Sequence, residues 1–195
     1  MCSEKTQPLE YASPSRTRPL RPMALVGIAV VAVFSGAVLG VLTNAVNGAV
    51  SPTYFINVMG WQSVTNVWFT SIMQGAFEGT AVGLFFSVIL TTSIGIISRA
   101  TCSFALGLRW LGFIVAGIFA LWIVGGFSGM ALASLNPNSF RTTFVGVPGD
   151  RAQMLRYAWV GGSIWGAEFG GFAAIIVGLI LFSIKWRKML LQQTG

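Results

Sequence analysis

Four stretches of this chain, about 23–46, 68–97, 110–135 and 159–184, each run for more than twenty residues with at most one charged side chain. A helix rises about 1.5 Å per residue, so each can cross a hydrocarbon core about 30 Å thick. Few other sequence features restrict a fold so strongly. The charge content agrees. Charged residues make up 9% of the chain, against about 25% in soluble domains, too few to cover a water-facing surface. An ordinary soluble domain, a disordered chain and a nucleic-acid-binding module are thereby excluded. The expected fold is an all-α membrane protein with four transmembrane helices.

The first run must be weighed against a cleaved signal peptide. It is longer than a signal core of about 7–15 residues, and no clean Ala-x-Ala site follows it. It is read as a retained helix. Residues 1–22 are polar and carry Pro8, Pro14, Pro19 and Pro22, which suits a disordered tail. Residues 185–195 form a second short tail. The transmembrane domain is therefore expected over 23–184.

The net charge of +7 is best explained by membrane orientation, because Lys and Arg flank the apolar runs. Lys5, Arg16, Arg18, Arg21, Arg99, Arg109, Lys185, Arg187 and Lys188 fall on one side of a four-span topology. Arg141, Arg151 and Arg156 fall on the other. The positive-inside rule then puts both termini and the 98–109 loop in the cytoplasm. Cys2 and Cys102, the only thiols, share that reducing side, which argues against a structural disulfide.

The absence of His removes the commonest general base and transition-metal ligand. It also removes Ser-His-Asp and Cys-His catalytic arrangements. The acids are Glu4, Glu10, Glu78, Asp150 and Glu168, too dispersed for a multi-carboxylate metal cage. No phosphate-binding Gly-x-x-x-x-Gly-Lys loop and no Cys-x-x-Cys occurs. Neither an enzyme, nor a cofactor, nor a metal site is expected.

Small residues recur every four positions in the second and fourth runs. Ser71, Gly75, Gly79, Gly83 and Ser87 shift by 91 onto Gly162, Gly166, Gly170, Ala174 and Gly178. A shift of 93 carries Ala32, Gly36 and Gly40 of the first run onto Gly125, Gly129 and Ala133 of the third. Hiding Leu from lipid gains little, so membrane helices associate where small residues let backbones approach. The pattern predicts tight packing and suggests two tandem hairpins related as in parallel-repeat transporters. The stripes could pack within one chain, between copies, or against a partner's helices.

Glu78 and Glu168 need a reason to lie inside apolar runs, where an ionisable group is costly. Glu78 lies 21 residues before Arg99 and Glu168 lies 17 before Lys185, about 31 and 25 Å along a helix. Both therefore sit in the outer part of the membrane. At about 100° per residue, Glu78 falls beside its glycine stripe and Glu168 nearly opposite its own. They either share a polar site with Gln74 or are satisfied separately.

The outer connection after the first run contains Asn44, Asn47, Ser51, Pro52, Tyr54 and Phe55. It reads as a surface-lying or re-entrant connector, or as a lid. Tyr54, Phe55, Trp61 and Trp68 suit an interfacial aromatic belt. The Asn-x-x-x-Ser-Pro-x-Tyr-Phe pattern resembles a loop in uncharacterised bacterial four-span integral membrane proteins of similar length. Those proteins usually carry an acid where this chain has Thr53. The resemblance implies a bacterial membrane, hence the inner membrane, and no activity. The second outer loop holds Asn136, Pro137, Asn138, Arg141, Asp150, Arg151 and Arg156, whose charges read as solvated, with a turn at 147–150.

These readings point to a non-enzymatic structural or accessory membrane component, in contact with the lipid bilayer and able to pair with itself or with partner helices. The alternative is a small transporter or channel component that uses Glu78 and Glu168 to bind a cation or proton.

Overall fold

The computed structural model describes residues 19–192. Among them are six helices and no strand: α1 Pro22–Val50, α2 Pro52–Met59, α3 Val67–Ser98, α4 Phe104–Leu135, α5 Pro137–Thr143 and α6 Arg151–Leu191. Four of these, α1, α3, α4 and α6, are long and apolar enough to cross a membrane. Most of the tail expected over 1–22 lies outside the described residues.

Local chemistry sets the boundaries. Pro22 and Pro52 begin α1 and α2 at positions where the missing N–H costs nothing. Ser51, kept out of the helical conformation before Pro52, ends α1. Gly60, at φ +70°, ends α2 in the left-handed conformation that glycine adopts freely. The side chains of Asn66, Ser103, Asn136 and Asp150 accept backbone N–H bonds at the starts of α3, α4, α5 and α6.

Hydropathy marks the part of a helix that needs lipid, whereas hydrogen bonding and caps decide where the helix stops. Two differences from the sequence reading follow. The fourth run is the middle of a 41-residue helix, about 62 Å long, whose ends carry Arg151, Arg156 and Lys188. Asn44 and Asn47, expected in a loop, occupy the last two turns of α1.

The helices pair as two antiparallel hairpins. In the first, Gly36 and Gly40 of α1 lie on Gly75, Gly79 and Gly83 of α3. In the second, Gly125 and Gly129 of α4 lie on Ala158, Gly162 and Gly166 of α6. A Cβ at Gly40 would overlap the Gly75 carbonyl oxygen, and one at Gly162 would overlap that of Gly125. Gly170 continues the α6 stripe against Leu121, and Gly178 against Ile114. Each stripe therefore faces its own hairpin partner within one chain. The sequence shifts do not reproduce these pairings. Gly36 moved by 93 becomes Gly129, which touches Ala158 and Gly162; its partners Gly79 and Gly83 moved by 91 become Gly170 and Ala174.

The hairpins meet through two separated clusters. Near the chain termini, Ile28, Ile94, Leu111, Phe182 and Trp186 pack together. At the opposite end, Tyr54, Phe55, Phe140, Met154, Tyr157 and Val160 do so. Large apolar side chains cover the outside of the bundle: Phe34 is 68% exposed and Phe77 77%. Such a surface needs lipid around it.

Candidate functional site

A cavity of about 210 Å³ lies between the two clusters, walled by α1 and α3 on one side and by α4 and α6 on the other. Its walls change character along their length. Toward the termini they are Leu90, Leu111, Ile114, Val115, Ile118 and Ile175. Toward α2 they include Asn44, Asn47, Gln74, Glu78, Trp122 and Glu168. Phe55 and Met59 of α2 close that end.

Each polar residue is placed by its helix register. On α3 the glycine stripe faces α1, so Gln74, Glu78 and Val82, one position earlier, turn to the cavity. On α6 the stripe faces α4, and Glu168, on nearly the opposite face, also reaches the cavity. The two acids thus line one space although they hold different places relative to their stripes. Gln74 Nε2 donates to Glu78 Oε1 over 2.7 Å, which leaves Gln74 Oε1 without a partner.

Four lining residues are exposed: Met59, Glu78, Val82 and Glu168. They belong to α2, α3 and α6, so the cavity opens between α3 and α6 beneath the end of α2. Further toward the termini the same seam is shut by rings. Phe86 meets Phe172 edge-on at 5.0 Å, and Phe85 meets Phe172 at 6.2 Å.

Besides Gln74 Oε1, two buried side chains of the lining have a polar atom without a partner among the described residues. Trp122 is 5% exposed, and its Nε1–H, which can only donate, has no partner. Asn47 is 1% exposed. Its Oδ1 lies 3.0 Å from Ser163 Oγ, and its Nδ2 has no partner. Ser163 Oγ also has the Val160 carbonyl at 2.9 Å. In either orientation of the Asn47 amide, one of its polar ends lacks a protein partner. Buried polar groups are seldom left this way without a ligand or water to meet them.

Tyr54 and Phe55 are not an interfacial belt. Phe55 is 1% exposed, stacks on Trp61 at 5.5 Å and caps the cavity. Tyr54 packs on Tyr157 at 4.9 Å. Burial raises the Tyr54 hydroxyl above its ordinary pKa, and the Glu168 charge adds to the shift, so the phenol stays protonated. The short helix is pinned by Asn57 Nδ2 donating to the Gly146 carbonyl at 2.6 Å. Trp68 alone of the expected belt is half exposed, its Nε1 donating to the Ala45 carbonyl at 2.9 Å.

Among the described residues, no basic side chain forms an ion pair with Glu78 or Glu168. Arg141 donates to the Gly149 carbonyl, and Arg151 and Arg156 are exposed on the first turns of α6. Among the described residues, no three His, Cys, Asp or Glu side chains gather to hold a metal ion. Trp122 and Met59 escaped the sequence reading, and Asn47 was read there only as part of the outer connection. Trp122 left a trace, because it sits mid-helix rather than at an end, where membrane tryptophans concentrate. No protein-family model, curated protein or solved structure matches the chain.

Proposed function

We propose that this chain is a non-enzymatic ligand-binding membrane protein, a small transport component that takes a ligand bearing a positive charge. One observation carries the reading. Two carboxylates line the same cavity as a buried Trp122 N–H, and among the described residues neither the acids have a basic partner nor the N–H an acceptor. Carboxylates in low dielectric favour a cation that replaces water. The structural or accessory role drew its support from glycine stripes free to engage other helices. Those stripes are occupied inside each hairpin, which favours the binding reading.

A single chain walls the cavity on four sides, so the reading requires neither a second copy nor a partner helix. The Lys and Arg distribution supports a placement with both termini in the cytoplasm. The resemblance around Ser51, Pro52, Tyr54 and Phe55 supports a bacterial inner membrane. In that placement the polar half of the cavity lies toward the outer face.

The test is thermal unfolding in detergent against a panel of inorganic cations and organic amines. Wild type is compared with the Glu78→Gln, Glu168→Gln double variant, which keeps side-chain size and removes charge. A ligand at a hundredfold excess over its Kd adds about 2.7 kcal/mol to stability. At least one cation is expected to stabilise wild type and not the variant. A flat response in both proteins overturns the proposal.

A further inference from the structure

The cavity is a two-part site, and its parts ask for different chemistry. At the polar end, Glu78 and Glu168 call for a cation or strong hydrogen-bond donor. The Trp122 N–H, with no partner and 5% of its residue exposed, calls for an acceptor. A bare inorganic cation meets the first requirement and leaves the second open. A group that carries a protonated amine beside an oxygen acceptor meets both.

The rest of the wall is mostly aliphatic, with the Ser35 hydroxyl as a polar group on α1. Leu111, Ile114, Val115, Ile118 and Ile175 line it. On α1 the lining runs from Asn47 to Ala32, about 22 Å or four turns of helix. That length includes the polar end, and the aliphatic part beyond it suits a hydrocarbon chain, whose burial against aliphatic side chains is favourable. Apolar side chains flank the opening. Phe77, Phe85 and Phe169, on the helices that flank it, are 77%, 54% and 63% exposed, as befits side chains covered by acyl chains.

We infer that the occupant is an amphiphile of the bilayer with a zwitterionic, amine-bearing head and one hydrocarbon chain inserted in the slot, reaching the cavity sideways between α3 and α6. The amine sits at Glu78 and Glu168, and an oxygen of the head accepts from Trp122. This rests on the cationic-ligand reading and goes beyond it by naming the head, the chain and the route.

The probe is lysophosphatidylethanolamine with a fourteen-carbon chain, added to the full-length protein in a maltoside detergent. Binding is read by native mass spectrometry and by thermal unfolding. It should appear as a 1:1 adduct that raises Tm. The Glu78→Gln, Glu168→Gln variant should bind at least about tenfold more weakly, as expected for losing a charge-assisted contact. Trp122→Phe should also weaken binding while its ligand-free Tm stays near wild type. Lysophosphatidylglycerol of equal chain length and chainless phosphoethanolamine should both fail to stabilise.

Equal stabilisation by the phosphatidylglycerol analogue overturns the head assignment. Equal stabilisation by phosphoethanolamine overturns the chain assignment. Tetradecylamine, which has the amine and the chain but no phosphate, overturns the zwitterionic head if it binds as tightly as the lysolipid. If sodium or magnesium stabilises in a carboxylate-dependent way and the lysolipid does not, this inference falls and the cationic-ligand reading stands. If no probe shows carboxylate dependence, both fall.

Discussion

Inside the α1–α3 hairpin, a single added carbon at Gly40 would collide with the backbone of Gly75. Between the hairpins, α3 and α6 meet through Phe86 and Phe172 with ring centres 5.0 Å apart, and a cavity of about 210 Å³ lies beside them. The first interface uses small residues to bring backbones together, where many weak dispersion contacts accumulate. The second uses large residues that touch at a few points. Backbone-on-backbone contacts leave little freedom to slide, so each hairpin is a stiff unit. Ring contacts can re-form after a small shift, so relative motion of the hairpins is the less costly deformation. It is also the one that would widen or close the opening next to Glu78 and Glu168.

The largest expected effect comes from breaking the tight interface. Gly79→Leu and Gly162→Leu each place a branched side chain against a facing backbone. Overpacking alone costs about 1–3 kcal/mol, and a backbone clash that cannot relax moves the cost above about 4. Neither variant is expected to give a monodisperse, cooperatively unfolding protein. Gly112→Ala is the control, because nothing lies within 4 Å of its added Cβ. It should unfold at or slightly above the wild-type temperature, since Ala favours helix over Gly by up to about 1 kcal/mol. Similar melting of Gly79→Leu and Gly112→Ala would remove the distinction between the interfaces.

A smaller effect is expected at the looser interface. Phe172 is 49% exposed, so Phe172→Ala should cost less than the 3–5 kcal/mol of a fully buried phenylalanine, about 1–2 kcal/mol. Its sharper signature is kinetic. With the seam beside Phe85 and Phe86 opened, an amphiphile reaching the cavity sideways should associate faster than with wild type in stopped-flow tryptophan fluorescence. An unchanged rate would place the limiting barrier elsewhere, the end closed by Phe55 and Met59 being the next place to look.

The two interfaces also differ in how legible they were. Four apolar runs and a four-residue spacing of glycines are one-dimensional signals, and the helices and the faces they pack on follow directly from them. The pairing register is not of that kind. Glycine stripes match at several offsets, and only the three-dimensional contact tells Gly36 on Gly79 from other choices. Glu78 and Glu168 were visible as acids in apolar runs. Their sharing of one cavity was not, because it depends on how one hairpin is rotated against the other, and the stripes do not encode that rotation. Asn47 and Phe55 were misplaced for a related reason. Loop and belt readings assume that polar and aromatic residues at a span's end face water or headgroups, whereas α2 folds its aromatic residues back into the bundle.

The smallest expected effect compares two tryptophans, one in each region. Trp122 lines the cavity, and Trp159 packs against it edge-on at 5.6 Å and against Phe127 at 5.1 Å, outside the lining. Both have an Nε1–H with no partner. An unmet buried donor costs about 1–3 kcal/mol. Replacing indole by phenyl removes that cost and also some packing, so Trp122→Phe and Trp159→Phe should each change ligand-free stability by less than about 1 kcal/mol. With lysophosphatidylethanolamine present they should part. Trp159→Phe should retain the ligand-induced rise in Tm, whereas Trp122→Phe should lose most of it, because only there does the missing donor face the bound head. Equal retention in both would mean that the Trp122 N–H meets no ligand and that its burial without a partner is a feature of packing alone.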